Sequence, residues 1–98
     1  MILKLISGKV FNVFIKITAY KNNDRTALTA VSLEDGSPVA TFTKNMNEWP
    51  CPSNHAWIKD YAENEGFMTQ LINGGVIAAP IEERISGYVK VFLCPVLI

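Results

Sequence analysis

Few side chains in this 98-residue chain have the makings of chemistry, and their spacing decides what kind. Cys51 and His55 stand four positions apart, and Cys94 is the one other thiol. Structural zinc takes four ligands in short paired spacings, and these three residues contain no Cys-x-x-Cys pair. No metal ligands are assigned. Cys51 with His55 also has the composition of a thiolate–imidazole pair, but nucleophilic catalysis needs a group that orients the base and donors for an oxyanion. The Pro-containing loop that carries both offers neither. Both cysteines precede proline, Cys51-Pro52 and Cys94-Pro95, as thiolate iron ligands do in some haem-responsive proteins. Pro52 reads better as a loop former and Pro95 as the end of the last strand. A cysteine within a strand, as Cys94 is, behaves as a small buried hydrophobe.

The carboxylates Asp60, Glu63 and Glu65 gather at a strand-to-helix junction. Paired carboxylates do acid–base work when their surroundings split their pKa values, yet Glu65 is explained as a partner of the helix dipole. Asp60 alternates with Ile58 and Ala56, and an inward aspartate at such a point ties a turn. Gly74-Gly75 follows a helix, whereas phosphate-binding loops precede one. No catalytic residue and no cofactor is expected.

Composition narrows the partners. Nine basic and nine acidic residues cancel, with Lys4, Lys9, Lys16, Lys21 and Arg25 spaced singly. A nucleic-acid binder would show a basic patch and a DNA mimic a strong acidic excess, so nucleic acid is disfavoured as a partner. No segment approaches the roughly 20 apolar residues that span a bilayer. Lys4, Lys9 and Lys16 interrupt the apolar N-terminal stretch and no small-residue cleavage site follows it. A cytoplasmic protein with reduced thiols is expected.

With 49% apolar residues, the chain is expected to form a single α+β domain over residues 1–98. Phe11, Val13, Ile15, Ile17 and Ala19 alternate with polar neighbours, a half-buried strand from Val10 to Ala19. Lys21-Asn22-Asn23-Asp24 is a turn by composition. A second strand over Arg25–Leu33, an Asp35-Gly36 hairpin signal and a third strand over Val39–Met46 complete a meander. Met1–Ile6 adds an edge strand, Asn47–Asn54 is a loop set by Pro50 and Pro52, and His55–Tyr61 is a short strand. One helix follows, with Asn64 as N-cap, Phe67, Met68, Leu71 and Ile72 as its apolar stripe, and Gly74-Gly75 as its stop. After a connector over Val76–Arg84, a last strand runs from Ile85 to Leu93. The architecture expected is a mostly antiparallel sheet of about five to six strands with the short helix packed on one face.

One helix covers one face. The other is expected to hold Phe14, Tyr20, Phe42, Tyr88 and Phe92, interleaved with Lys16, Lys44 and Lys90. Aromatics mixed with lysines on an uncovered face make a contact surface, unless the sheet curls and buries them itself. Trp49 in the Pro-containing loop is either a binding anchor or a plug for the end of the sheet.

Two segments resemble a known family. Leu33 to Met46 (LEDGSPVATFTKNM) followed by Trp49-Pro50, and Ala56 to Gly66 (AWIKDYAENEG) followed by the helix and Ser86-Gly87-Tyr88-Val89, are similar to a small domain-of-unknown-function family of Gram-positive bacteria. The resemblance covers roughly Leu28 to Leu97. That family has no assigned activity or catalytic residues, so it carries no site over. Its members travel in conjugative elements and prophages, which implies an accessory protein of a mobile element.

Three functions are therefore expected in order. The first is a non-enzymatic binder of a host or element-encoded protein, an anti-CRISPR-like inhibitor of a host defence system among its forms. It would use Trp49, Phe14, Tyr20, Tyr88, Lys90 and Phe92, or an unpaired edge strand. The second is a small-molecule or nucleotide-signal sponge built on Tyr61, Trp57, Lys59 and Arg84. The third is a small enzyme resting on Cys51/His55 or Asp60/Glu63. The apolar tail Cys94–Ile98 is expected to dock on its own sheet or on a second copy in a homodimer.

Overall fold

Alternation of apolar and polar side chains makes β2 (Val10–Ala19) the longest strand in the computed structural model, which describes all 98 residues. It lies between β1 (Ile2–Lys4) and β3 (Thr26–Ser32), and β4 (Pro38–Thr41) follows on the far side of β3. The Asp35-Gly36 turn forms as the sequence predicts. Gly36 takes φ +74°, and the Asp35 carboxylate accepts from the backbone N–H and hydroxyl of Ser37, which holds its pKa below the usual carboxylate value.

The single sheet expected from the sequence is instead two antiparallel sheets, one ordered β1-β2-β3-β4, the other β5-β7-β6. The second comprises β5 (His55–Lys59), β6 (Glu82–Ser86) and β7 (Val89–Pro95). Beyond Thr41 regular pairing gives way to a bridge between Thr43 and Ile58. There the Lys44 N–H donates to the Trp57 carbonyl and the Lys59 N–H to the Phe42 carbonyl, both at 2.9 Å. This short seam lets the sheets fold toward one another instead of continuing flat.

Between them lies the main core. Leu3, Val13, Leu28, Ala30 and Phe42 come from the first sheet and Ala56, Ile58 and Cys94 from the second. Phe67 and Leu71 of α1 (Phe67–Asn73) close it, with Val76 and Ile77 of the connector. Phe42 and Phe67 meet edge to face, centroids 5.5 Å apart. The expectation that Phe42 lies on the uncovered face is thus wrong. Which face a side chain takes follows pairing register, and register here sets Lys16 opposite Thr29, so even positions of β2 share a face with odd positions of β3.

Two further boundaries differ. The expected strand over Ile85–Leu93 is a hairpin, because Gly87 at φ +65° and Tyr88 form a two-residue turn closed by the Ser86–Val89 pair. The helix starts later than an Asn64 cap would place it. Ala62–Asn64 form a 3-10 turn, Gly66 at φ +89° is the N-cap, and the Met68 N–H finds its acceptor in Asp60 Oδ1 at 3.1 Å. Asn64 is buried and donates its amide to the Thr41 carbonyl at 2.7 Å.

The opposite face of the second sheet carries a smaller cluster of Met46, Trp57, Val91 and Leu93. The loop over residues 47–54 lies on it through Trp49 and Cys51. The C-terminal tail pairs with the connector through the Val96–Ile77 bridge and a bond from the Leu97 N–H to the Val76 carbonyl, while the Leu97 and Ile98 side chains stay exposed. No helix is long and apolar enough to cross a membrane.

Candidate functional site

On the outer face of the first sheet, register aligns Phe14 with Val31 and Val31 with Pro38. The next row runs Lys16, Thr29, Thr41, and on the other side Ile2 faces Asn12 and Lys4 faces Val10. Leu33 joins them where its N–H donates to the Asn12 carbonyl. Ile2, Val10, Phe14 and Leu33 are 61%, 58%, 45% and 55% exposed. A shallow groove of about 510 Å³ runs across this face, bounded by Phe14, Lys16, Val31, Gly36 and Pro38 among others. The structure places Phe14 and Lys16 here as the sequence predicts. Ile2, Val10 and Leu33 join this face beyond the residues the sequence points to, and Val10 shares the even parity of Phe14 along β2.

The remaining aromatics scatter. The Tyr20 hydroxyl shares a 2.9 Å hydrogen bond with that of Thr43, which is buried. Phe92 packs against the main core. Tyr88 stands fully exposed at the tip of the β6–β7 turn, and Lys90 pairs with Glu83 at 3.6 Å. Phe92 and Lys90 belong to β7 and Tyr88 to the turn before it, in the other sheet from Phe14.

Trp49 is engaged by its own protein. Its ring lies 4.9 Å from that of Trp57, and the Arg84 guanidinium sits 5.5 Å from the Trp49 ring and 5.8 Å from the Trp57 ring. Glu82 holds Arg84 from the side at 2.8 Å. The residues proposed from sequence for a small-molecule site, Trp57 and Arg84, do converge, and Trp49 packs against both. Tyr61 lies at the margin of the cluster with the Lys44 amine 6.0 Å from its ring, and no cavity opens among them.

Cys51 and His55 line a polar cleft of about 380 Å³ with Asn23, Asp24, Arg25 and Asn54. The Cys51 thiol donates to the His55 carbonyl at 3.4 Å, and His55 Nδ1 donates to the Ser53 carbonyl at 2.8 Å. Burial pushes the Cys51 thiol pKa up, against a smaller lowering by Arg25. The side chains therefore make backbone contacts in place of a thiolate–imidazole pair. Cys94 lies on the opposite face of the second sheet, in the main core, where burial, with Asp60 adding to it, pushes its thiol to about 12. The three candidate metal ligands do not meet. Beside the cleft, Asn22, Asn23, Asn45 and Asn47 interlock through their amides and tie the β2–β3 turn to the start of the loop.

Comparison with family models, with curated proteins and with solved structures finds no match to this chain.

Proposed function

We propose that the chain is a non-enzymatic protein-binding module that seats a host or element-encoded protein on the outer face of β1–β4. One observation carries this reading. Four large apolar side chains, Ile2, Val10, Phe14 and Leu33, stand about half exposed on one sheet face, flanked by Lys4 and Lys16. Scattered apolar residues are ordinary on a surface, but these four surround Asn12 on one face with polar side chains at their rim, the arrangement of an interaction site. The near-neutral charge favours a protein over nucleic acid as the partner. Membership of a phage or mobile element, inhibition of a host defence system and a cytoplasmic location, where Cys51 and Cys94 stay as free thiols, belong to the same reading.

The polar cleft between Arg25 and His55 favours a second reading, small-molecule binding. One experiment separates the two: tagged wild-type protein and a Phe14→Asp variant are passed through Gram-positive host lysate and eluted into native mass spectrometry. The protein-binding reading expects a stoichiometric protein held by the wild type and lost with Phe14→Asp. Retention of that protein by the variant refutes the sheet face as its seat. A small-molecule mass on both proteins, with no partner chain, puts the cleft first.

A further inference from the structure

The free backbone edges of the two sheets are unequally protected. At β1 the helix supplies a substitute strand: the Gln70 side-chain amide accepts from the Lys4 N–H and donates to the Lys4 carbonyl, both at 2.8 Å. The inner edges are joined at the Thr43–Ile58 seam. The outer edge of β6 pairs with nothing. Beside it, Ile81 and Ile85 are 61% and 68% exposed, among the most exposed apolar side chains of the protein.

We infer that β6 is a self-pairing edge, and that two copies of the chain join there in a two-fold antiparallel dimer. The segment Ile81-Glu82-Glu83-Arg84-Ile85 is complementary to its own reverse. A two-fold axis beside Glu83 sets Ile81 of each copy opposite Ile85 of the other, and Glu82 opposite Arg84. On an isolated edge two adjacent glutamates repel an incoming strand, but in this register the carboxylates at Glu82 meet guanidinium groups. Arg84 already lies against its own Glu82, so the dimer alternates charge along one face. The two Glu83 side chains meet near the axis, each accompanied by its Lys90. A hollow of about 350 Å³ over Pro80, Ile81, Glu82 and Glu83 lies where Ile85 of the second copy arrives.

Backbone pattern is compatible with this register, and the side chains select it. A two-residue turn closes on a hydrogen-bonded pair, here Ser86 with Val89, so bonding to β7 falls on Ser86, Arg84 and Glu82. The Ile81 N–H also turns inward, donating to the Leu93 carbonyl at 2.9 Å, so Ile81 brings its side chain and not its N–H to the edge. Glu83 and Ile85 are left with their N–H and carbonyl groups outward. Antiparallel pairing about a two-fold axis keeps facing residues on one side of the sheet, which requires the axis to pass beside a single residue. Moving it to Arg84 would set the two guanidinium groups against each other and Glu83 against Ile85. Moving it to Ile85 would set Arg84 against Ser86 and lose the ion pairs. An edge this short is smaller than a standard protein interface, so a reversible dimer is expected.

Sedimentation velocity over a concentration series up to about 1 mM tests this. The wild type is expected to pass from monomer to dimer, and Ile85→Lys, at an exposed position outside both clusters, to weaken the dimer at least about tenfold. Glu82→Lys and Arg84→Glu are each expected to be monomeric alone, since each places like charges opposite one another. An equimolar mixture of the two restores opposite charges in both pairs and is expected to form the heterodimer. A wild type that stays monomeric throughout the series overturns the inference. So does a dimer that Ile85→Lys leaves unchanged, or folded charge variants that dimerise alone as well as they do mixed.

Discussion

Removing Trp49 asks whether the loop over residues 47–54 is a lid that the fold needs. The Trp49 side chain is partly buried, 4.9 Å from Trp57 and 5.5 Å from Arg84. About two-thirds of the tryptophan's surface is covered, roughly 130 Å², which at about 25 cal/mol per Å² contributes about 3 kcal/mol. A compact denatured state trims that to about 2 kcal/mol. The ring pair and the guanidinium contact together add about 1 kcal/mol at so open a site. Trp49→Ala is therefore expected to cost about 2–3 kcal/mol, lowering the melting temperature of a domain this size by roughly 10–20 °C. Trp57 is then the only indole left, so urea unfolding followed by its fluorescence gives the stability, and acrylamide quenching gives its exposure. Trp49→Phe should fall between. A loss below about 0.5 kcal/mol, the usual range for surface substitutions, with Trp57 still shielded from quencher, would refute the lid and return Trp49 to the surface as a contact residue.

Two other perturbations test the interior. Burial raises the Cys94 thiol from 9.0 to about 12, so its neutral form stabilises the fold fully below about pH 9. That contribution falls by roughly 1.4 kcal/mol per unit as pH rises from there toward 12. Urea midpoints of wild type and Cys94→Ala, compared at about pH 8 and about pH 10.5, should converge at the higher pH, and a constant gap would contradict the buried thiol. Asn64→Ala leaves the Thr41 carbonyl without its 2.7 Å partner and should cost about 1–3 kcal/mol by thermal unfolding. Asn64→Asp, which sets an acceptor against that carbonyl, should cost more at neutral pH than below its carboxyl pKa.

Local chemistry in the sequence was enough to place most elements. The alternation along Val10–Ala19, the Asp35-Gly36 turn, the prolines of the loop and the Gly74-Gly75 stop each act over a few residues, and each appears in the structure where the residues put it. Asp60 was likewise legible as a structural tie, and its carboxylate accepts from the first turn of the helix. Gly87 breaks the apolar run of Ile85–Leu93 with a residue free to take φ +65°, and the alternation on both sides of it reads as one strand although it is two. Tertiary structure alone decided how the strands divide into two sheets, because that rests on the Thr43–Ile58 seam between segments separated by a loop. It also decided which aromatics are surface. Phe14 faces outward and Phe42 inward because register, a long-range property, assigns faces to strands one pair at a time. Trp49 illustrates the same limit: its type suits a binding anchor and a plug equally, and only the arrival of Trp57 and Arg84 from distant strands makes it the cover of the second cluster.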